Sequence, residues 1–188
     1  MVGSIARDTG TPTVLVVDDD PDVAAAYEIW LRESAEVRTV HGGEAALDTL
    51  DETVDIVLLD RHMPGRSGDA VAADIRDRHP ACMIAAVSAA APSIDATEPP
   101  FDMYLRKPVS RADLVTAVET LQERASYGRT LRTLCALAEK RVALQETKTK
   151  AQLRESPAFD QLATEIELSW AELDTERFES AELRRLIA

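Results

Sequence analysis

Cysteine is nearly missing from this chain. Cys82 and Cys135 are the only two, far apart and in no CxxC spacing. That excludes a disulfide framework and a cysteine zinc site, and both thiols read as small buried apolar residues in a reducing cytoplasm. Long apolar runs are missing too. None approaches the ~18 residues of a membrane-spanning helix, and the opening MVGSIARDTG has no signal-peptide core, so a cytoplasmic location is expected. Lysine is scarce, with four Lys against 17 Arg among the 21 basic residues. Nothing resembles a helix-turn-helix recognition unit, which leaves nucleic-acid contact weakly supported.

What is present is enough for a packed core. The 188 residues are 45% hydrophobic and 29% charged, sufficient for one domain of common size and a smaller module. The net charge is −13, carried by many aspartates. With arginine preferred to lysine and alanine abundant, this balance resembles proteins of salt-loving archaea, in which a dense carboxylate surface holds water.

Residues 13 to 125 alternate between two patterns. The runs TVLVVD, EVRTV, VDIVLLD, CMIAAVS and DMYLRKP read as short strands. Between them lie helical spacings, the first through Val23, Tyr27, Trp30 and Leu31, the last opened by Ser110 as N-cap with Leu114, Val118 and Leu121 on one face. Pro99 and Pro100 confine the helix before the fifth strand to about residues 92 to 97. Alternation with short joints predicts an α/β fold with a parallel sheet covered on both faces.

Such sheets bind ligands beyond the carboxyl ends of their strands, at the topological switch point. That rule selects Asp18, Asp19 and Asp20 after the first run, Asp60 after the third, Ser88 after the fourth and Lys107 after the fifth. Crowded carboxylates invite a hard divalent cation, for which Asp19 and Asp60 offer direct oxygens and Asp18 acts through water. With negative charge absorbed, one carboxylate can attack phosphorus, and Lys107 and Ser88 can donate to the phosphoryl oxygens. Asp20, ahead of Pro21, reads as a helix-entry residue. His41 and His79 read as surface residues away from this set.

At these residues the chain resembles the receiver domain of two-component response regulators. The likeness spans about residues 12 to 125 and rests on VLVVDDD, on DRHMPGRSG against the family's D-x-x-M-P-G-x-x-G, on VSA and on YLRKP. It implies a flavodoxin-like (βα)5 fold with strand order 2-1-3-4-5. It further implies Asp60 as phosphoacceptor, Asp18 and Asp19 as the acid pair, and the backbone carbonyl of His62 completing a Mg2+ shell. Ser88 would be the switch hydroxyl, Lys107 the phosphate-contacting lysine and Tyr104 the rotating aromatic on the output face. A sensor histidine kinase would be the partner in a phosphorelay, and the chain would be a phosphoacceptor rather than an enzyme.

Residues 1 to 11 read as a flexible start, and 127 to 188 as a separate helical unit. One helical stretch runs from Tyr127 to about Glu155 with Leu131, Leu134, Ala138 and Val142 in step; a second follows Ser156 and Pro157 with Phe159, Leu162, Ile166, Trp170 and Leu173 on one face. Residues 127–154 carry a charge of +5 and 155–188 carry −6. These charges favour a hairpin of two helices, with coiled-coil dimerisation or nucleic-acid contact by the basic helix as alternatives. The stretch YGRTLRTLCALAEKRVALQETKTKAQL resembles the HalX domain that follows receivers in haloarchaea. Two other readings stay open for the whole chain. One is a phosphorylation-independent interaction scaffold. The other is a haloacid-dehalogenase-type phosphohydrolase, which needs a second Asp two residues after its nucleophile, where Asp60 has His62 and Asp18 has Asp20.

Overall fold

The computed structural model describes residues 10–89, 92, 101–127 and 129–171. In chain order these form β1 (Thr13–Val17), α1 (Pro21–Leu31), β2 (Glu36–Val40), α2 (Gly43–Thr49), β3 (Ile56–Leu59), α3 (Gly68–Arg78), β4 (Met83–Ser88) and β5 (Met103–Arg106), then α4 (Arg111–Ala125), α5 (Arg129–Thr147), α6 (Lys150–Arg154) and α7 (Pro157–Ala171). The five strands make one sheet in the order β2-β1-β3-β4-β5, and every neighbouring pair is parallel. β1, β3 and β4 are buried along their whole length. Their continuous apolar runs, with no polar alternation, are what a strand covered on both sides requires.

Side-chain alternation sorts the core into two layers. Val14, Val16, Ile56 and Leu58 point to one face, where Tyr27 and Leu31 of α1 and Leu114, Val118 and Leu121 of α4 cover them. Leu15, Val17, Val57, Leu59, Ile84 and Ala86 point to the other, under Ala46 of α2 and Val71, Ala72 and Ile75 of α3. Each fully buried aliphatic side chain contributes about 1.5–3 kcal/mol. Helix starts follow the sequence signals. Asp20 caps α1 by accepting from the backbone of Asp22 and Val23, as its place before Pro21 suggested. Ser110 caps α4 in a reciprocal box with Asp113. The helix expected at 92–97 lies, apart from Pro92, outside the described residues.

The C-terminal segment differs from expectation in one respect. A single helix from Tyr127 to Glu155 is replaced by two, because α5 ends at Thr147 and Thr149 starts α6. The Thr149 hydroxyl accepts from the Gln152 backbone, while the Gln152 side chain accepts from the Thr149 backbone. This capping box offers the backbone a better alternative than continuing the helix through two β-branched threonines. Beyond it, Leu131, Leu134, Leu137 and Leu144 of α5 pack with Leu162 and Ile166 of α7, flanked by Phe159 and Trp170. The two apolar stripes therefore satisfy each other within one chain; Leu173 lies outside the described residues.

α5 is buried on more than one side. Leu134, Cys135, Ala136, Leu137 and Ala138 are five successive buried residues, and a helix buried around its circumference must lie between two layers. The second layer is the sheet, for α5 packs on β5 as well as on α7.

Candidate phosphoacceptor site

The order of strands reverses between β1 and β3, and the residues that follow these two strands meet there. Asp18 continues from β1, its amide bonded to the Val40 carbonyl, and Asp60 continues from β3, its amide bonded to Val17. Both carboxylates are nearly buried, with exposures of 2% and 8%. Lys107 reaches in from the end of β5, where its amide bonds the Ser88 carbonyl and its bond to Pro108 is cis. Its ammonium donates to Asp18 Oδ2 at 2.7 Å and to Asp60 Oδ2 at 2.5 Å. Burial works against the charge on Lys107, but these two carboxylate bonds outweigh it and hold its pKa above the ordinary lysine value.

The remaining carboxylate oxygens are held by local backbone. Asp18 Oδ1 accepts from the Asp20 amide at 3.0 Å, and Asp60 Oδ1 accepts from the His62 amide at 2.9 Å. Oxygens of Asp18, Asp19 and Asp60 all lie within 4.8 Å of one another, with Asp19 alone exposed. Three converging carboxylates, one of them open to solvent, are a donor set that fits a small hard cation.

The turn after Asp60 is built to leave this edge open. Gly65 takes a φ of 79° in the left-handed region, and the Gly68 amide bonds the Arg61 carbonyl at 3.0 Å. Ser67 then caps α3. Arg61, immediately after Asp60, is turned away from the carboxylates: its guanidinium grips Asp69 through two bonds of 2.8 and 3.0 Å and lies 5.9 Å from the centre of the Phe101 ring. Phe101 in turn meets Tyr104 edge-on at 5.6 Å. Tyr104 is half-buried, and that burial pushes its phenol well above the ordinary range.

Of the residues selected from strand ends, Asp18, Asp19, Asp60, Ser88 and Lys107 thus sit on one edge of the sheet. Asp20 does not join them as a ligand and serves as the cap of α1. Two histidines border the site, one of them against expectation. His41 follows β2, and its Nδ1 lies 3.1 Å from the Asp18 carbonyl oxygen, so it borders the site and is not remote from it. The strand-end rule would have found it had β2 been included. The His62 side chain is exposed, but its Nδ1 lies 3.2 Å from the Ser88 hydroxyl. Its ring therefore takes part as well as its backbone, a contact across 26 positions that no local pattern signals.

With this geometry in hand, the chain can be set beside known proteins. The response regulator receiver domain family matches residues 14–119, and the HalX domain family matches residues 123–187. A candidate transcriptional regulator of Haloferax volcanii is 42% identical over 175 residues, which are 92% of this chain and 30% of that protein. Transcriptional regulatory protein PrrA of Mycobacterium tuberculosis is 40% identical over 124 residues, covering 62% of this chain and 53% of PrrA. The chain thus spans about half or less of the length of these curated relatives. Response regulator protein TrrA of Thermotoga maritima, solved with Mg2+ and a beryllium fluoride, is 31% identical with a TM-score of 0.51, over 58% of this chain and 98% of TrrA. The chain belongs to the response regulator receiver family, and a HalX domain follows its receiver.

Proposed function

We propose that residues 12–125 form a phosphorelay receiver whose phosphoacceptor is Asp60, and that residues 127–188 are the output unit. The observation that carries this reading is the Lys107 ammonium bridging the Asp18 and Asp60 carboxylates at the sheet's switch point. In the transfer, a carboxylate oxygen of Asp60 bonds to phosphorus as the N–P bond of a kinase phosphohistidine breaks, and the departing imidazole nitrogen regains a proton. Asp18, Asp19, Asp60 and the His62 carbonyl would hold Mg2+, which when bound supplies charge neutralisation for the phosphoryl oxygens. Lys107 is already within bonding distance of the acceptor and can follow its charge onto the phosphoryl group. Ser88, at the end of β4, is the hydroxyl that moves toward that group, and Tyr104 is the aromatic that responds on the output face.

The partner under this reading is a sensor histidine kinase, and the chain accepts a phosphoryl group rather than turning over a substrate. The Haloferax and Mycobacterium relatives carry transcriptional names, which supports a role in transcription and makes DNA a candidate target of the output unit. Among the described residues no helix is long and apolar enough to cross a membrane. Self-association through the β5 face requires α5 to leave it; association through the C-terminal helices does not. The test is incubation with Mg2+ and acetyl phosphate, followed by intact mass. One hydroxylamine-labile phosphoryl group is expected on the wild type and none on Asp60→Asn; a gain that persists in the variant refutes Asp60 as acceptor.

A further inference from the structure

The parallel ladder between β1 and β2 stops one rung short of closing over the acidic loop. Its last pair is Val17 with Val40, and the Asp18 amide still bonds the Val40 carbonyl at 3.2 Å. In an evenly spaced parallel ladder the next bond runs from the Gly42 amide to the Asp18 carbonyl. Gly42 does not supply it, for it takes a φ of 128° and turns the chain into α2. The His41 ring supplies it instead, with Nδ1 3.1 Å from the Asp18 carbonyl oxygen. A carbonyl only accepts, so Nδ1 carries the proton in this contact. Both backbone groups of Asp18 are thereby tied to the end of β2, one by the ladder and one by a side chain.

The peptide held in this way is the one that joins Asp18 to Asp19. The three converging carboxylates are not held alike. Asp18 and Asp60 each bond the Lys107 ammonium through one oxygen and a nearby backbone amide through the other. Among the described residues, the Asp19 carboxylate is exposed and has no hydrogen bond or ion pair. Its oxygen also stands within 4.8 Å of those of Asp18 and Asp60, so repulsion favours its turning outward. Its place therefore depends on the main chain on either side. After it, Asp20 gives its amide to Asp18 Oδ1 and caps α1. Before it, the Asp18–Asp19 peptide is fixed by His41.

We propose that His41 is a positioning residue for the cation site: by holding the Asp18–Asp19 peptide, it keeps Asp19 turned toward Asp18 and Asp60. This rests on the reading of those three aspartates as the ligands of a divalent cation. His41 lies outside the group of converging ligand atoms and acts through one main-chain bond. Partners of this kind orient a ligand before the metal arrives and spare the cost of ordering it on binding. Removing one such bond should weaken the cation by about three- to tenfold, the worth of a single net hydrogen bond. His41→Asn keeps an N–H donor the same number of bonds from the backbone, whereas His41→Phe keeps a ring and loses the donor.

Titration calorimetry of the full chain with Mg2+ alone, in concentrated KCl and without a phosphoryl donor, tests this. His41→Phe should bind Mg2+ about three- to tenfold more weakly than the wild type, and His41→Asn within about twofold of it. His41→Ala serves in place of the phenylalanine variant if that does not fold. Without Mg2+ the His41→Phe and His41→Asn proteins should melt together, which separates placement of Asp19 from general stability. No Mg2+ binding by the wild type removes the cation reading and the role of His41 with it. Wild-type binding that His41→Phe matches, or that His41→Asn fails to restore, overturns the role of His41 alone. So does an affinity that falls only in step with the Mg2+-free melting temperature.

Discussion

Replacing Gly68 by alanine tests how Asp60, the proposed acceptor, is held. A Cβ at this position would stand 2.3 Å from the Asp60 carbonyl oxygen and 2.6 Å from Arg61 Cα. Both are backbone atoms, so no change of rotamer can relieve the contact. Real Cβ atoms keep 3.0 Å or more, so the start of α3 and the Asp60–Arg61 peptide must separate by about 0.7 Å. That movement strains the Gly68 amide's bond to the Arg61 carbonyl. Overpacking of this kind costs about 1–3 kcal/mol. At about 2–4 °C per kcal/mol for a chain of this length, the melting temperature should fall by roughly 2–12 °C. Displacing the acceptor should also slow labelling by acetyl phosphate about ten- to a hundred-fold, since a misplacement near 1 Å costs that order. Gly43→Ala meets the Val71 methyl at 2.6 Å and the Arg66 carbonyl oxygen at 3.1 Å, away from Asp60, and should lower the melting temperature without slowing labelling; Gly10→Ala meets nothing and should be neutral. The measurements are calorimetry in concentrated KCl and intact-mass labelling kinetics. A Gly68→Ala protein that melts and labels like the Gly10→Ala control would refute the close approach of α3 to the acceptor.

Two further outcomes bear on other parts of the molecule. Arg124→Met leaves Glu139, 17% exposed, without the cation it pairs with across α4 and α5, and should cost about 3–5 kcal/mol in urea unfolding. The double variant Arg124→Met/Glu139→Leu should recover most of that loss; equal destabilisation of single and double variants would show that the pair is not what fastens α5. Thr53→Val tests the pH response of Asp51, which bonds from the Thr53 hydroxyl and amide, with help from Arg38, pull down to about 2. A depressed carboxyl contributes stability above its unfolded value of about 3.9 and loses it as pH falls through the folded value. The stability gap between wild type and variant should therefore be open at pH 5 and close toward pH 2. Carboxyl carbon NMR on the variant should show Asp51 titrating higher, and an unmoved Asp51 would contradict the assignment to Thr53.

Much of this was legible before any coordinates, and for a physical reason. The strands are buried on both faces, so their sequences are nearly pure apolar runs, and the residue that breaks each run lands on the functional edge. Asp18, Asp60, Ser88 and Lys107 could therefore be placed together from the sheet rule alone. Capping was equally readable, because Asp20 and Ser110 act within three residues of themselves. Other features leave no such trace in the sequence. The break at Thr149 rests on a capping box buried in a strongly helical pattern, where Thr-x-x-Gln is easily passed over among good helix formers. The contact of His62 with Ser88 joins loops after β3 and β4 that no periodicity relates, whereas His41 follows β2 and lies within reach of the strand-end rule.

The position of α5 adds detail that the helical stripe does not carry, and it changes how the two units should be understood. A stripe at three- and four-residue steps predicts an apolar face that packs on the other helix, on the receiver or on a partner, and α7 is one of its partners. The run LCALA, five buried residues in succession, carries a second message: this helix has two partners, and the second is β5 of the receiver. Sequence order assigns α5 to the output unit, while its burial assigns it equally to the sheet. Cutting the chain near residue 127 would then expose Tyr104 and β5 along with the underside of α5. The receiver and the C-terminal helices share a layer, α5, which packs on β5 on one side and on α7 on the other.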